Sequence, residues 1–302
     1  LTGNILSSSG SVFQVGFVAP DGSSRDGVAL NMGAFTVSNA VFNIPLASLG
    51  SNTLRTTGTL PVLGNLSTGV LGNTIEFNGT TQTVPQIPYN YLRISNNGTK
   101  TLVASTTVGQ DLTVTGGISG TPSKLALVSN TLTLNGTFTG SAFNNLSADG
   151  SSNLTIGGTG ALGTLFFDQF TAGRSKGADA TGVLGNLSAG TTNRFNNFTI
   201  NRTSSGTITL GNEMQISNVL TPTAGTLTTV GNLVMVSTEF INSSILAIPL
   251  GVASITGDVV VQSFFKGGTV GTNRGFRMIS MPVIDVAAPS NLFKKMQERF
   301  II

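Results

Sequence analysis

The chain has 302 residues, of which only 9% are charged, and its formal net charge is +3. It contains no cysteine, histidine or tryptophan. This excludes disulfide bonds, catalysis by a thiolate or an imidazole, and zinc sites built from cysteine and histidine. Glycine, threonine, serine and asparagine supply most of the polarity, and these residues favour strands and turns over helices. The composition therefore predicts an all-β protein.

Two aspartates lie close together near the start of the chain, Asp21 and Asp26 in PDGSSRDG. Aspartate, serine and backbone oxygens suit calcium. The stretch lacks the spacing of a known calcium motif, however, and Asp-Gly pairs are typical of turns. We therefore predict a turn here and assign no metal ligand.

Short alternating stretches dominate the middle of the chain, such as DLTVTGG (Asp111–Gly117), TLTLNGTF (Thr131–Phe138) and GTITLGN (Gly206–Asn212). Apolar residues at every second position indicate a strand with one buried face. Glycine and Asn-Gly pairs end these strands in turns.

Asp168, in FFDQF, is the acidic residue best placed for a raised pKa because it lies between phenylalanines. We predict that it faces outward from a strand, while Phe166, Phe167 and Phe170 fill the interior. The pair Phe264 and Phe265 is assigned to the interior in the same way.

Catalytic sites are not evident among the acidic residues. Glycoside hydrolysis needs two carboxyl groups about 5 to 10 Å apart, and no two acids are spaced by two along a strand. Lyase chemistry would pair a basic residue with an acidic cluster, but Arg174 and Lys176 have no such cluster nearby. We predict no enzyme, no catalytic, cofactor-binding or metal-ligating residue, and no cofactor.

An aromatic-asparagine phrase recurs along the chain, starting at Tyr89, Phe143 and Phe195, at intervals of 54 and 52 residues. The text that follows Tyr91 also parallels the text that follows Asn197, at an offset of 106 residues. This alignment makes Ile94 equivalent to Ile200, Leu102 to Ile208, and Val108 to Met214. A repeat of about 53 residues is typical of a solenoid.

A parallel β-solenoid accounts for this repeat, with two coils of about 26 residues in each unit and roughly ten coils in all. The three aromatic residues would then fill one place in successive layers. Like charges would stack in such a fold, whereas threonine and asparagine ladders stack well, which explains the low charge. The alternative is a series of tandem β-sandwich modules.

The solenoid is predicted for residues 1–253, and a terminal cap or the start of another module for 254–302. SITGDVVVQSFFKGG (Ser254–Gly268) is the last predicted strand, and SNLFKKMQERF (Ser290–Phe300) is predicted to be a helix. Six of the 15 basic residues lie in this terminal part, but no dense basic stripe with aromatics predicts nucleic-acid binding. The apolar ending is typical of a truncated chain.

The stretch FNGTTQTVPQIPYNYLRISNNGTKTLVASTTVGQDLTVTGG (Phe77–Gly117) resembles the repeats of large surface proteins of Bacteroidota. ITGDVVVQSFF and GFRMISMPV resemble the segment that ends such repeat regions. The resemblance implies export by type IX secretion and a role as an adhesin or surface filament. The C-terminal sorting domain of that family is not in the sequence.

The sequence therefore predicts a structural and adhesive segment of a secreted or cell-surface protein, a rod-like spacer that presents a binding surface. The alternatives are a self-assembling filament subunit and a carbohydrate-active β-helix enzyme. Predicted partners are other surface or secretion proteins, further copies of the chain, or carbohydrate. No segment is apolar and long enough to predict a membrane-spanning helix.

Overall fold

A computed structural model gives the fold of the chain, which divides into two compact units, Leu1–Phe264 and Phe265–Ile302. Within the first unit, the structure describes 53–58, 74–169, 192–203, 205–237 and 240–262, and the backbone of strands at 5–14, 29–31, 37–44 and 63–66. The predicted terminal helix lies outside the described residues.

The described residues form 24 strands, numbered here in chain order. The first twelve are β1 Ile5–Gln14, β2 Ala29–Asn31, β3 Val37–Ile44, β4 Thr53–Thr56, β5 Leu63–Leu66, β6 Thr74–Phe77, β7 Thr81–Val84, β8 Tyr91–Ile94, β9 Gly98–Leu102, β10 Thr106–Val108, β11 Leu112–Val114 and β12 Ser123–Ala126. The others are β13 Thr131–Leu134, β14 Phe138–Thr139, β15 Asn144–Ser147, β16 Asn153–Ile156, β17 Gly163–Leu165, β18 Arg194–Asn201, β19 Thr207–Leu210, β20 Met214–Thr228, β21 Leu233–Met235, β22 Ser244–Ile245, β23 Ala253–Thr256 and β24 Val259–Val261.

The paired strands are parallel and wind into a β-solenoid of about eight turns, with no helix in the described ranges. From β4 onward, except for β5, the strands build three faces. Face A contains β4, β6, β8, β11, β14, β17, β19 and β23, together with the end of β20. Face B contains β7, β9, β12, β15, β21 and β24, together with the starts of β18 and β20. Face C contains β10, β13, β16 and β22, together with the rest of β18 and the middle of β20. The predicted all-β solenoid is confirmed.

Alternation along each strand sets the core. In β13, Leu132 and Leu134 are buried while Thr131 and Thr133 lie on the outer side, as a period of two requires. Inward residues of successive coils stack in columns of apolar side chains, for example Leu154 on Phe198. Each fully buried side chain of this size stabilises the fold by about 1.5 to 3 kcal/mol.

Coil length varies, contrary to the predicted regular unit of about 53 residues. One inward column of face A contains Leu54, Ile75, Leu92, Leu112 and Phe138. These residues follow one another after 21, 17, 20 and 26 residues. The ladder fixes only the strands, so the turns between them differ freely in length.

The predicted repeat register is therefore wrong. Tyr89 is buried on face C beside Val108, and Phe195 is buried on face B, where it pairs with Ile216 and contacts Phe167 edge-on. Phe143, by contrast, is 45% exposed and lies before β15. The three aromatic residues do not fill one place in successive layers.

The alignment at an offset of 106 residues is also wrong, because it does not match equivalent positions of the solenoid. It joins residues of different faces: Ile94 of face A with Ile200 of face C, Leu102 of face B with Ile208 of face A, and Val108 of face C with Met214 of face B. The alignment is rotated by one face. The two segments are similar because every face uses the same alternation, not because they occupy equivalent places.

One coil contains a long excursion. Leu146 pairs with Phe167, and the amide of Ala148 donates to the carbonyl of Thr192 at 2.7 Å. The chain therefore leaves this rung after Gln169 and returns to it at Thr192. This accounts for the 45-residue step from Gly163 to its partner Ile208.

Charges of opposite sign stack on the outer side of face A. Arg55, Glu76 and Arg93 occupy one register position on three coils. Arg55 Nε lies 2.8 Å from Glu76 Oε2, and Arg93 Nε lies 3.9 Å from Glu76 Oε1. The solenoid thus accepts charge where the sign alternates, a possibility that the stacking argument from the sequence did not include.

The solenoid strands extend beyond the predicted boundary at residue 253. β23 pairs with β20, and β24 pairs with β21, so the ladder continues to Val261. The division between the compact units comes after Phe264.

Polar side chains fold back into the corner between faces A and B. Lys100 is fully buried, and its Nζ donates to the carbonyls of Ser95, Asn96 and Asn97 at 2.7, 3.2 and 3.0 Å. Gln82 is its partner in the preceding coil. Gln82 Nε2 donates to the carbonyls of Thr56 and Gly58 at 3.0 and 2.8 Å. These side chains supply donors to carbonyls at the turns, and one of these carbonyls, that of Thr56, also accepts from the amide of Asn78.

We expect Lys100 to make stability depend on pH. Burial lowers its pKa to about 8 from 10.5, so between these values the unfolded chain binds more protons than the folded one. The free energy of unfolding should then rise by at most about 3 kcal/mol as pH increases through this window. Urea denaturation at pH 7 to 10.5 checks this, and Lys100→Met should lack the rise. Parallel pH profiles for the two proteins would contradict it.

Candidate binding face

Five threonines of face C lie in register on successive coils. Thr107 pairs with Thr133, Thr133 with Thr155, Thr155 with Thr199, and Thr199 with Thr221. Each lies between two inward-facing residues, so its side chain points outward. Neighbouring strands are about 4.8 Å apart, so the threonines recur at this spacing along the stack. We call these five residues the threonine column.

The hydroxyl groups of the threonine column are available to a ligand. Thr107 is exposed and the other four are partly exposed. None of the five hydroxyls has a hydrogen-bond partner within the part of the chain that the structure describes. A hydroxyl has one donor and two acceptor positions. The column therefore offers a regular row of donors and acceptors beside a row of methyl groups.

A column of amides lies two residues away on the same face. Asn153 pairs with Asn197, and Asn197 Nδ2 donates to Asn153 Oδ1 at 2.9 Å. Asn218 Nδ2 continues the ladder by donating to Asn197 Oδ1 at 3.0 Å. These amides bind one another from coil to coil, as the predicted asparagine ladder requires. The threonine column differs because its hydroxyls point to solvent without such partners.

Neither column contains a charged residue. The positions beside the threonine column are Thr131, Asn153, Asn197 and Val219. A ligand bound here would gain hydrogen bonds and methyl contacts but no ion pairs. Its affinity should therefore depend little on ionic strength.

Face A has its own threonines, but several are bound within the chain. Thr256 Oγ1 donates to Thr228 Oγ1 at 3.2 Å, and the hydroxyls of Thr226 and Ser254 lie 2.9 Å apart. Earlier on this face, the outer position is occupied by the charged set Arg55, Glu76 and Arg93. Face C is therefore the face without charge at its outer position, and its five threonines form an unbroken register.

No protein-family model, no curated protein and no solved structure matches the chain. The role of face C is therefore inferred from its own residues.

Among the described residues, no three histidine, cysteine, aspartate or glutamate side chains are grouped so that they could hold a metal ion. The same residues include no helix that is long and apolar enough to cross a membrane.

Asp168 lies on the outer side of face B, as predicted, but it is buried. It is 4% exposed, and its Oδ2 lies 2.6 Å from Lys124 Nζ. Phe167 beside it is fully buried in the core, and Phe166 packs partly against the core. The prediction that these two rings fill the interior is confirmed for Phe167 and in part for Phe166.

Next to Asp168, polar side chains form a network. Asn193 Nδ2 donates to Gln169 Oε1 and to Glu213 Oε1, each at 3.3 Å. Gln215 Nε2 donates to Glu213 Oε1 at 2.8 Å and accepts at Oε1 from Arg194 Nε at 3.1 Å. Asn193, Arg194 and Gln215 are buried. The network joins the end of the excursion to the next coil.

The other candidate residues from the sequence lie outside the described residues: Asp21, Asp26, Phe170, Arg174, Lys176, Phe264 and Phe265.

The threonine column was not identified from the sequence, although a signal for it is present. NLTI (Asn153–Ile156) and NFTI (Asn197–Ile200) are nearly identical, and the structure pairs them residue by residue. The alignment made from the sequence was based instead on the recurrent aromatic-asparagine phrase, which gives a different register. Comparing only the phrase Asn-apolar-Thr-Ile would have aligned these two coils in the register that the structure shows.

Proposed function

We propose that the chain is a structural and adhesive segment of a secreted or cell-surface bacterial protein, and that the threonine column binds an uncharged, hydroxyl-rich polymer such as a polysaccharide. The observation that carries this proposal is the register of five unpartnered hydroxyls on an uncharged face. The ladder of the solenoid holds them at fixed positions.

A repeating ligand suits this surface because its groups recur along the polymer as the threonines recur along the stack. A single hydrogen bond contributes only about 0.5 to 1.5 kcal/mol. Several such bonds on a rigid lattice add without a new ordering cost for each, because the protein side is already fixed. Weak contacts in series are the expected mode of adhesion here.

The extracellular and non-catalytic parts of the proposal have separate support. The resemblance of Phe77–Gly117 to repeats of Bacteroidota surface proteins favours export. A stack of parallel coils with a closely packed core also suits a mechanical spacer. The filament and the carbohydrate-active enzyme remain predictions from the sequence.

Removing hydroxyls from the threonine column should weaken binding. We expect the triple change Thr133→Val, Thr155→Val and Thr199→Val to lower the affinity for an insoluble polysaccharide roughly 10- to 100-fold, at about 0.5 to 1 kcal/mol per hydroxyl. Valine keeps the branched shape and favours strands, so the fold should persist. Depletion of the protein from solution by crystalline cellulose and by chitin measures the effect, with circular dichroism as the check on folding.

Two controls make this test specific. Serine at the same three positions keeps the hydroxyls and should retain most of the binding. Valine at Thr113 and Thr139 changes face A and should leave the binding intact. Equal losses for both faces, or no depletion of the unaltered protein by any uncharged polysaccharide, would contradict the proposal. So would binding that disappears in moderate salt, since that would indicate charge.

A further inference from the structure

Lys124 and Asp168 form an unusual contact for this chain. Lys124 Nζ lies 2.6 Å from Asp168 Oδ2, and the side chains are only 15% and 6% exposed. Elsewhere in the described ranges, the ion pairs join Glu76 to the arginines Arg55 and Arg93. Lys124 is thus the one amine placed against a carboxylate in that part of the molecule. An amine, unlike a guanidinium, becomes a nucleophile when it loses its proton.

We propose that Lys124 and Asp168 become joined by an amide bond in the folded chain. The Nζ–Cγ bond forms, the bond from Cγ to one carboxyl oxygen breaks, and that oxygen leaves as water with two protons from the amine and carboxyl groups. No oxidant, reductant or further reactant is needed. The product is one secondary amide and one water molecule.

The geometry favours this condensation. The hydrogen bond between Nζ and Oδ2 holds the nitrogen within near-attack distance of Cγ, roughly 3 to 3.5 Å. Proton transfer along the same hydrogen bond converts the ammonium and carboxylate into a neutral amine and carboxylic acid, which is the reactive pair. Both side chains are largely shielded from solvent, being 15% and 6% exposed, which limits the access of bulk water to the reacting atoms.

The contact joins two segments of the solenoid that are far apart in sequence. Lys124 lies on β12, while Asp168 lies one residue before Gln169, where the chain leaves its coil. The two residues are 44 positions apart. A bond between them would fasten the rung that carries the excursion to an earlier coil. The chain has no cysteine, so a disulfide is not an available alternative.

Intact-mass spectrometry of the purified, folded full-length chain tests the proposal without any variant. We expect the mass to be lower than the calculated mass by one water, and peptide mapping to show the Lys124 peptide joined to the Asp168 peptide. Lys124→Arg keeps a positive charge but should restore the calculated mass, because a guanidinium is not a nucleophile at neutral pH.

A second source of water loss is ring closure at Asp-Gly sequences, such as Asp149-Gly150. That succinimide hydrolyses in mild alkali, whereas a side-chain amide resists it, and Lys124→Arg would not prevent it. An intact mass equal to the calculated one would overturn the proposal. A missing water that maps to an Asp-Gly site, or that remains in Lys124→Arg, would overturn it as well.

Discussion

Arg202→Met should lower the free energy of unfolding by about 3 to 5 kcal/mol, because it removes several hydrogen bonds from a charged donor, each of which contributes about 1.5 to 3 kcal/mol. Arg202 is 1% exposed. Its guanidinium donates to six backbone carbonyls, those of Asn135, Gly136, Gly157, Thr159, Gly160 and Ala161. Methionine fills similar space but donates to none of them, so these partly buried acceptors would lose their partners. Chemical denaturation measures the loss.

The reason for so large an effect is that one side chain serves three coils. The carbonyls of Asn135 and Gly136 belong to the turn after β13, while those from Gly157 to Ala161 belong to the turn after β16. Arg202 itself follows β18. No carboxylate pairs with it in the described ranges. Burial lowers its pKa, but a guanidinium stays protonated in proteins.

Two variants serve as controls for Arg202→Met. Arg202→Lys keeps the charge but has three donors without the planar fork, so it should fall between the wild type and the methionine variant. Arg93→Met removes an arginine whose side chain is 48% exposed, and a surface ion pair contributes only about 0 to 1 kcal/mol. An Arg202→Met loss as small as that of Arg93→Met would contradict the assigned role.

The strands and the fold class were predictable because they depend on local alternation. Thr131 to Leu134 already shows the period of two that places its leucines inside. A chain of such strands with little charge and many turns has few folds available, and the parallel solenoid is one of them. Asparagine ladders were predictable as a kind of contact, but the residues that form one, Asn153 and Asn197, were not, because the register was not.

The register was not predictable from the spacing of repeated phrases. Strands pair by the shape of the coil, and the coil closes after 17 residues between Ile75 and Leu92 but after 26 between Leu112 and Phe138. Turns absorb the difference at the surface, where length costs little. The excursion after Gln169 shifts the spacing once more. A constant offset therefore drifts from one face to the next.

The burial of certain polar side chains was also not predictable from the sequence. Lys100 in GTKTL and Arg202 in INRTSS look like ordinary exposed residues of short strands and turns. Lys100 folds back onto three carbonyls of the turn before its own strand. Arg202 binds carbonyls of two different turns, which converge only after the coils are stacked. The rigid platform behind the threonine column thus depends on contacts that local patterns do not reveal.

Gly158→Ala should destabilise the protein by more than about 4 kcal/mol, an exceptional loss for one methyl group. Gly158 has a φ of +75°, and a Cβ added to it would lie 1.7 Å from the carbonyl oxygen of Asn135 in the preceding coil. That neighbour is backbone, so no side-chain rotation relieves the clash. The turn after β13 would have to move, and with it the carbonyls that bind Arg202.

Gly160→Ala provides the matched comparison, two residues away on the same turn. Its φ is +68°, so alanine there meets the same left-handed conformation, but a Cβ would have nothing within 4 Å. Only the conformational cost of about 1 kcal/mol should appear. The difference between the two free energies of unfolding, measured by denaturation, isolates the coil-to-coil contact. If both alanines cost the same, the tight stacking of the turns is not what requires glycine at position 158.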